Sequence, residues 1–430
     1  MKYKISKKEL LFDLIIFGLS CMHTSVIYVF MLVTLFKIRE GSVGFIKINM
    51  LFLLRQCVYF PGISSVSGTQ STIKLFVLAA LAGYLIVCYL IKRTGNVPIC
   101  VISIVLFGLL ATASAWIWGS YPLAGVIKAV AFALVFIATV LAVMDCQSVF
   151  DAEDYLYQYL CVIVLVSCLL IPFSGAYMVG STGKLFRGIW NHPNDFGVIC
   201  AIYLSVALVR CERIKGNQVL QILLTLALIF LSKSRGAMIA AMGNIVIYYA
   251  MCREKKDKSK IIMLLCLLSV ALVVTPLGKE LVKFFAKNSG ANSLSEELFS
   301  SRDELYDTAM FRFKSNLSMG RGLLIPYYPG LVTWSLDAGR IEPGNIFIEL
   351  LAGTGIIGMI AFMVMLLVFF VQGKGKKRMY ILVAVLASIS EVSFFSVNNY
   401  AFVFYLLIGL SLVRVEENTQ QKQLHAKTQV

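Results

Sequence analysis

Long apolar runs separated by short polar pieces make up most of the chain. A bilayer span needs roughly 20 apolar residues, and twelve runs are candidates for it. They are 10–36, 74–91, 97–118, 122–144, 155–178, 195–209, 218–232, 236–251, 261–277, 345–371, 379–396 and 400–413. The pattern predicts an all-α polytopic integral membrane protein with about 12 transmembrane helices and one large extracytoplasmic loop that carries short helices.

One further apolar stretch, 43–61, differs because Lys47 and Arg55 interrupt it. Each charge would cost several kcal/mol at the centre of a bilayer. The stretch is therefore predicted to be an amphipathic helix on the membrane surface, and 10–36 is predicted to be one retained span.

The longest polar segment divides the chain. Residues 1–277 would form about nine spans, 278–344 the large extracytoplasmic loop, 345–413 three more spans and 414–430 a cytoplasmic tail. The loop contains eight basic and eight acidic residues, which is not the composition of a polybasic lipid anchor. It is predicted to form a small helical cap on the outer surface.

Composition excludes a water-soluble enzyme, since 59% of the residues are apolar and 14% are charged, against about 45–50% and about 25% in soluble domains. A net charge of +16 in a soluble protein would suggest nucleic acid. However, 21 of the 39 Lys and Arg lie in short segments on one predicted side, which marks that side as cytoplasmic. The sequence predicts a multi-pass protein of the plasma (inner) membrane with the bilayer, and no nucleic acid, as its partner.

Several cationic residues stand where this orientation rule does not predict them. Arginine in particular suits phosphate recognition, and the helix start at Gly236 would add backbone donors for an anion. Snorkelling of long side chains from the ends of spans is the alternative for the turn Ser232-Lys-Ser-Arg-Gly236. The candidate diphosphate-binding residues are Lys184, Arg187, Lys233, Arg235, Arg302, Arg312 and Arg321.

Other polar residues near these cations have candidate roles. Asn194 is of the type that caps helices, and Asn345 and Glu349 open the span after the large loop in positioning roles. His192 could transfer a proton near neutral pH or be structural. The predicted outer segments contain no Asp-x-Asp pair, His-rich cluster or P-loop, so neither a metal nor another cofactor is expected.

In its combined order this pattern resembles the O-antigen ligase and polymerase superfamily of bacterial polysaccharide assembly. The resemblance covers about 180–370 and rests on several short motifs. They are Arg187, His192-Pro-Asn194, Ser234-Arg-Gly-Ala237, Ser301-Arg302, Gly320-Arg-Gly322, Gly344-Asn-x-x-x-Glu349 and Gly353-Thr-Gly-Ile-Ile-Gly358. It implies a metal-independent inverting glycosyltransferase that acts on undecaprenyl-diphosphate-linked oligosaccharides at the outer face. Carried over by position, Arg187, Arg235 and Arg302 would hold the diphosphate, with Arg312 and Arg321 as rivals of Arg302.

One departure from the family bears on the activity. Ligases of this superfamily usually have His before the Asn at the span after the loop, and Gly344 stands there. This favours a repeat-unit polymerase of capsule, exopolysaccharide or O-antigen over a ligase that moves finished glycan to a lipid, peptidoglycan or protein. A lipid-linked oligosaccharide flippase or transporter is the rival of another class. The general base stays open among Glu342, Asp337 and His192, and a flippase and chain-length regulators are the expected protein partners.

Overall fold

Helices dominate a computed structural model that describes residues 7–22, 24–59, 68–92, 97–180, 183–211, 216–251, 303–323, 344–389, 393–397 and 400–413. The helices up to the middle of the chain are α1 (Lys7–Met22), α2 (Thr24–Leu35), α3 (Ser42–Cys57), α4 (Gly68–Lys92), α5 (Ile99–Trp118), α6 (Pro122–Cys146), α7 (Ala152–Leu169), α8 (Pro193–Arg210), α9 (Gly216–Ser232) and α10 (Arg235–Met251). The remaining ones are α11 (Asp303–Ser315), α12 (Ile346–Gln372), α13 (Met379–Ser388) and α14 (Ala401–Leu412).

Five of these helices are long and apolar enough to cross a membrane, namely α5, α6, α7, α8 and α12. Three shorter apolar helices, Phe76–Lys92, α9 and α14, accompany them within the described ranges. This supports a mostly helical membrane protein, whereas the predicted number of twelve spans is not confirmed. The predicted span 261–277 lies outside the described residues.

Two predicted spans end earlier than their apolar runs. The run 155–178 contains Pro172, which cannot continue a helix, and α7 stops at Leu169. A two-stranded hairpin follows, with β1 (Tyr177–Gly180) antiparallel to β2 (Gly183–Phe186). The predicted all-α fold class is therefore wrong for this segment. In the run 379–396, α13 has 10 residues, a length of about 15 Å.

The first predicted span, 10–36, is a pair of antiparallel helices and not one helix. The side chains of Phe17 in α1 and Phe30 in α2 meet with ring centroids 6.2 Å apart. Lys37, just after α2, lies 3.0 Å from the Asp13 carboxylate in α1. A single helix over 27 residues would separate its ends by about 40 Å, so the chain turns back after α1 and returns to the end where it started.

Ion pairs gather at the end of the molecule to which the chain returns, here called the charged face. They are Lys37–Glu9 (3.4 Å), Lys37–Asp13 (3.0 Å), Lys47–Glu9 (2.7 Å), Lys47–Glu40 (2.6 Å), Arg210–Asp154 (2.5 Å) and Lys377–Glu153 (2.6 Å). The end of the molecule that carries the β1–β2 hairpin and the first residues of α8 is called the hairpin face.

Helix α3 runs through the protein from the charged face to the hairpin face. Ser42 donates a hydrogen bond to Asp145 on the charged face (2.6 Å), and at the other end Val58 forms a β-bridge with Trp190. Every residue from 44 to 53 is buried, so the expected surface helix with an exposed polar side is corrected. The charge of Lys47 is paired with Glu9 and Glu40, which offsets part of the cost that argued against burial.

Cysteine labelling tests this path of the chain. A membrane-impermeant maleimide should modify Arg39→Cys only after cells are permeabilised, as it should Gln147→Cys at the α6–α7 turn. Val179→Cys, on an 81% exposed position of the hairpin, should react in intact cells. A single first span would instead place position 39 with position 179, so labelling of Arg39→Cys in intact cells would contradict the α1–α2 hairpin.

Aromatic side chains form the centre of the helix packing, around α6. The Phe132 ring lies 5.2 Å from Phe395 and 5.8 Å from Phe107, and the Phe136 ring stacks on Tyr405 at 4.6 Å. Such ring pairs add to the free energy gained by burial alone. They fix α5, α6 and α14 against one another beneath the loops of the hairpin face.

Candidate functional site

Arg187 directly follows the β1–β2 hairpin and is 7% exposed. Its Nη1 donates to the carbonyl of Asn191 (3.4 Å) and its Nη2 to that of Gly175 (3.3 Å). The guanidinium also lies 4.8 Å from the centroid of the Tyr59 ring. Burial lowers the pKa of Arg187, and Tyr59 acts in the opposite direction. The ion pairs between described residues do not include this guanidinium, so a buried cation faces carbonyls and an aromatic ring.

The end of α3 holds this arginine in place through the backbone. Asn191 donates its backbone N–H to the carbonyl of Cys57 (2.8 Å), and Tyr59 donates to Ile189 (3.0 Å). The Trp190 side chain between these bonds is fully buried. Tyr59 and the α3 end were missed by sequence reasoning, because a bond between segments 130 residues apart has no local sequence signal.

Helix α8 begins directly after this turn, and His192 caps it. The Nδ1 atom of His192 accepts a hydrogen bond from the backbone N–H of Asn194 (3.3 Å), while Pro193 occupies the first helical turn. The capping role expected of Asn194 is therefore corrected, since its own N–H is the donor. Because Nδ1 accepts this hydrogen bond, the neutral ring would carry its proton on Nε2. The Nε2 atom then has no free lone pair, which counts against a role of His192 as a base through Nε2.

The turn between α9 and α10 packs onto the first turn of α8. A β-carbon at Gly197 would lie 2.7 Å from the Cβ of Ser234 and 2.9 Å from that of Ala237, so these two segments touch. Lys233 in this turn has a φ of 53°, the sole positive φ of a non-glycine residue in the described ranges. Arg235 then opens α10, half-buried, with Gly236 after it.

The same turn also approaches the hairpin. The Nζ atom of Lys233 would lie 3.9 Å from a β-carbon at Gly183, the residue before the exposed Lys184. The fold thus brings the segment of Lys184 and Arg187 close to that of Lys233 and Arg235, although about 50 residues separate the two segments in the chain. We call Lys184, Arg187, Lys233 and Arg235 the cation group.

The strained backbone of Lys233 offers a test of its role. Left-handed backbone costs a non-glycine residue of order 1 kcal/mol or more, so Lys233→Gly should keep or raise the unfolding temperature. If the ammonium contacts a phosphate anion, the same change should weaken binding of that anion by about tenfold, and Lys233→Arg should retain part of the binding. Thermal unfolding in detergent and binding of inorganic diphosphate give the two readouts. Undiminished binding by Lys233→Gly would exclude the contact.

Arg312 and Glu349 form a second group on α11 and α12. The Nη1 of Arg312 lies 3.5 Å from the Glu349 carboxylate, and the two side chains are 4% and 1% exposed. The Nη2 of Arg312 donates to the carbonyl of Gly322 (2.6 Å). These contacts commit the guanidinium to the protein, which favours a positioning role for Arg312 over the expected phosphate binding.

Two other predicted residues flank this pair. Asn345 caps α12, with its Oδ1 accepting from the N–H of Phe347 (3.0 Å) and of Ile348 (3.3 Å). The Arg321 Nε donates to the hydroxyl of Ser315 (2.9 Å), and its side chain is half-buried. Arg302, Glu342 and Asp337 lie outside the described residues.

Helix α12 is interrupted at Gly355, where φ is 65°. The backbone of residues 317–322 enters the gap and takes over the freed hydrogen bonds. Ile356 and Ile357 donate to the carbonyls of Leu317 and Ser318, while Arg321 and Gly322 donate to those of Ala352 and Gly353 (2.8–3.1 Å). Part of the large loop thus enters the helix layer, which differs from a cap that lies on the surface.

Glycine makes this close approach possible. A β-carbon at Gly320 would lie 2.5 Å from the backbone of Gly353, and one at Gly355 would lie 2.3 Å from the carbonyl oxygen of Ser318. Ser114 of α5 donates its hydroxyl to the carbonyl of Met319 or of Gly353, at 2.5 and 2.7 Å. The broken helix has no clear sequence signal, because the glycines of Gly353-Thr-Gly-Ile-Ile-Gly358 also suit ordinary helix packing.

The fold and these residues define a helical membrane protein with cationic side chains gathered at one end and a loop built into a broken helix. Residues 220–363 match the family model described as O-antigen ligase, which supports the resemblance to the O-antigen ligase and polymerase superfamily. The matched range contains Lys233, Arg235 and the Arg312–Glu349 pair, whereas Lys184 and Arg187 precede it. A search of curated proteins gives no significant match.

Proposed function

We propose that the protein is a repeat-unit polymerase for capsule, exopolysaccharide or the O-antigen of lipopolysaccharide. It would transfer a growing glycan from one undecaprenyl diphosphate to a sugar hydroxyl on another lipid-linked repeat, at the outer face of the plasma membrane. The bond from the anomeric carbon to the diphosphate oxygen breaks, and the acceptor oxygen forms the new glycosidic bond with inversion. Lipid diphosphate leaves, and the hydroxyl proton passes to a base.

The observation that carries this proposal is the buried guanidinium of Arg187, which directly follows the hairpin that Lys233 of the cationic turn approaches. A diphosphate leaving group gains negative charge as the glycosidic bond breaks. Fixed cations in a partly dry site stabilise that charge more in the transition state than in the ground state. Arginine can donate two parallel hydrogen bonds to a phosphate, so these side chains would supply the neutralisation without a metal ion.

Polymerase activity is favoured over ligase activity by Gly344. Ligases of this superfamily usually have His at this position. The resemblance implies that this His is the base for the acceptor hydroxyl in ligases. Here the backbone has a φ of 64°, a conformation that glycine adopts without strain. Glu342, Asp337 and His192 stay candidates for the base, and the capping bond to His192 Nδ1 counts against the last.

The broken helix α12 bears on the transporter alternative. In transporters, interrupted helices leave backbone groups open towards a substrate or an ion. In this protein the loop 317–322 occupies the gap at Gly355 and satisfies the freed groups around it. This arrangement serves the placement of a loop, and it gives a transport function no specific support.

A deletion strain separates the three functions. Loss of a polymerase leaves single lipid-linked repeats outside the cytoplasm, loss of a ligase leaves long lipid-linked chains, and loss of a flippase retains repeats on the cytoplasmic side. We expect single external repeats, with normal polymer restored by the wild-type gene and not by an Arg235→Ala variant. Unchanged chain length and amount with Arg235→Ala would contradict the site, and long lipid-linked chains in the deletion strain would contradict polymerase activity.

A further inference from the structure

A hydrogen-bonded chain of three side chains joins the first turn of α8 to the start of α14. The Tyr400 hydroxyl donates to the carboxylate of Asp195 (3.2 Å), and the Ser393 hydroxyl donates to the Tyr400 oxygen (2.8 Å). Tyr400 and Ser393 are buried, and Asp195 is 8% exposed. An ionised carboxylate only accepts hydrogen bonds, so the tyrosine hydroxyl is aimed at Asp195 and holds its carboxylate in one orientation.

This polar chain lies at the ends of α13 and α14 that are nearer the hairpin face. The other ends of both helices lie at the charged face, since Lys374, beside the ion pair of Lys377, donates its backbone N–H to the carbonyl of Ser411. From there α13 and α14 rise only about 15 and 18 Å, whereas α8 is about 27 Å long. The Tyr400 side chain bridges the difference, so Asp195 is held at the end of α8 that meets the α9–α10 turn.

Asp195 and the α9–α10 turn lie on different sides of the start of α8. Gly197 packs against the turn that carries Lys233 and Arg235, whereas Asp195 contacts Tyr400 of α14. Helical residues two positions apart point about 200° apart around the axis. A sugar ring over the first turn of α8 would thus have the cations on one side and the carboxylate on the other. Inversion requires this arrangement, because the acceptor oxygen and the leaving group stand on opposite faces of the anomeric carbon.

We propose that Asp195 is the general base that takes the proton from the acceptor hydroxyl, with Tyr400 as its positioning residue. The inference rests on the proposed glycosyl transfer from a lipid diphosphate. As the acceptor O–H bond breaks, its proton moves to a carboxylate oxygen of Asp195, and the acceptor oxygen forms the bond to the anomeric carbon. The electron pair of the broken C–O bond stays with the diphosphate. The carboxyl group then releases its proton to water at the hairpin face, which restores the base.

A purely structural role of Asp195 needs only the hydrogen bond and not the charge. The Oδ1 of an asparagine accepts from Tyr400 as a carboxylate oxygen does, so Asp195→Asn keeps the link between α8 and α14 but removes the base. General base catalysis contributes typically about 10²–10⁴-fold. In cells that lack the wild-type gene, polymer formation should therefore fall by about 100-fold or more, while the amount of folded protein and the binding of inorganic diphosphate should not fall. Polymer of wild-type length and amount from Asp195→Asn would overturn the proposal.

Tyr400→Phe tests the orientation of the base. Polymer formation should fall by about tenfold, because a hydrogen bond to a charged group is lost. Tyr405→Phe is the matched control, since this hydroxyl is also fully buried on α14 but donates to the carbonyl of Phe394 (2.6 Å), and its polymer should stay near the wild-type amount. Added to Asp195→Asn, Tyr400→Phe should cause no further loss. A full additional loss in that double variant would contradict a role of Tyr400 through Asp195.

A small carboxylate should replace the missing base in Asp195→Ala. Spheroplasts of this variant present their unpolymerised lipid-linked repeats at the outer face, and sodium formate should raise polymer formation several-fold over sodium chloride at the same concentration. Equal polymer in the two salts would assign Asp195 to structure and overturn the proposal. The polymerase function fails separately, because long lipid-linked chains in the Asp195→Asn strain would identify a ligase reaction and leave Asp195 as its base.

Discussion

Replacing Arg187 by Gln is expected to lower polymer formation by roughly 100- to 1000-fold, the loss seen when one preorganised donor to a developing charge is removed. The glutamine keeps a polar side chain but removes the cation that the hairpin and α3 hold in place. Because the guanidinium is buried against carbonyls and the Tyr59 ring, neighbouring water cannot replace its charge. Polymer length and amount on gels of cell-surface glycan give the measurement.

Two further variants make this result specific. Arg187→Lys keeps the charge but not the two parallel donors, so it should recover only a small part of the activity. Lys314→Gln removes an exposed cation from α11 and should leave polymer length unchanged. Equal loss in Lys314→Gln would mean that general positive charge matters, and wild-type polymer with Arg187→Gln would exclude the diphosphate contact.

Removing one member of the Arg312–Glu349 pair is expected to destabilise the protein by about 3–5 kcal/mol, because it leaves the other charge buried without its counter-charge. Both side chains are nearly inaccessible, so solvent screening does not reduce this cost. Glu349→Gln and Arg312→Met should each lower the midpoint of thermal unfolding in detergent, and each should lower the amount of folded protein in membranes.

The double variant tests whether the pair acts through its charges. Arg312→Met with Glu349→Leu removes both charges together, and it should be more stable than the sum of the two single losses predicts. Coupling between contacting residues of this kind is commonly 0.5–3 kcal/mol, roughly. Additive losses would show that the two side chains contribute independently. Loss of polymer in the stable double variant would place the pair in the positioning of the loop.

Sequence reasoning succeeded best where hydrophobicity alone decides the structure. The apolar runs around α5, α6, α8 and α12 became helices with nearly the predicted bounds, because a helix satisfies its own backbone groups in an apolar environment. The prediction of spans was wrong where a turn lies inside an apolar run, as between α1 and α2. It failed again at α3, since the charge of Lys47 was weighed without Glu9 and Glu40, whose positions depend on the tertiary fold.

Those two errors compensate each other in the predicted topology. The α1–α2 pair adds one crossing of the helix layer and α3 adds another, so these two changes together leave the topology predicted from α4 onwards as it was. At the candidate site, the sequence identified Arg187, Lys233 and Arg235 as unusual but could not place them together. The approach of their segments depends on the close packing at Gly197 and Gly183, and glycine is too common for either to stand out.

The interruption of α12 has a consequence for how the protein is assembled in the membrane. The lower part of that helix begins at Ile356 with amides whose acceptors belong to residues 317 and 318, and unsatisfied backbone groups cost several kcal/mol each in hydrocarbon. The acceptors precede α12 in the chain, so they are synthesised and delivered first. A truncated product that starts at α12 would enter the bilayer with these amides exposed. The loop must therefore be in place before the second part of α12 can satisfy its backbone amides.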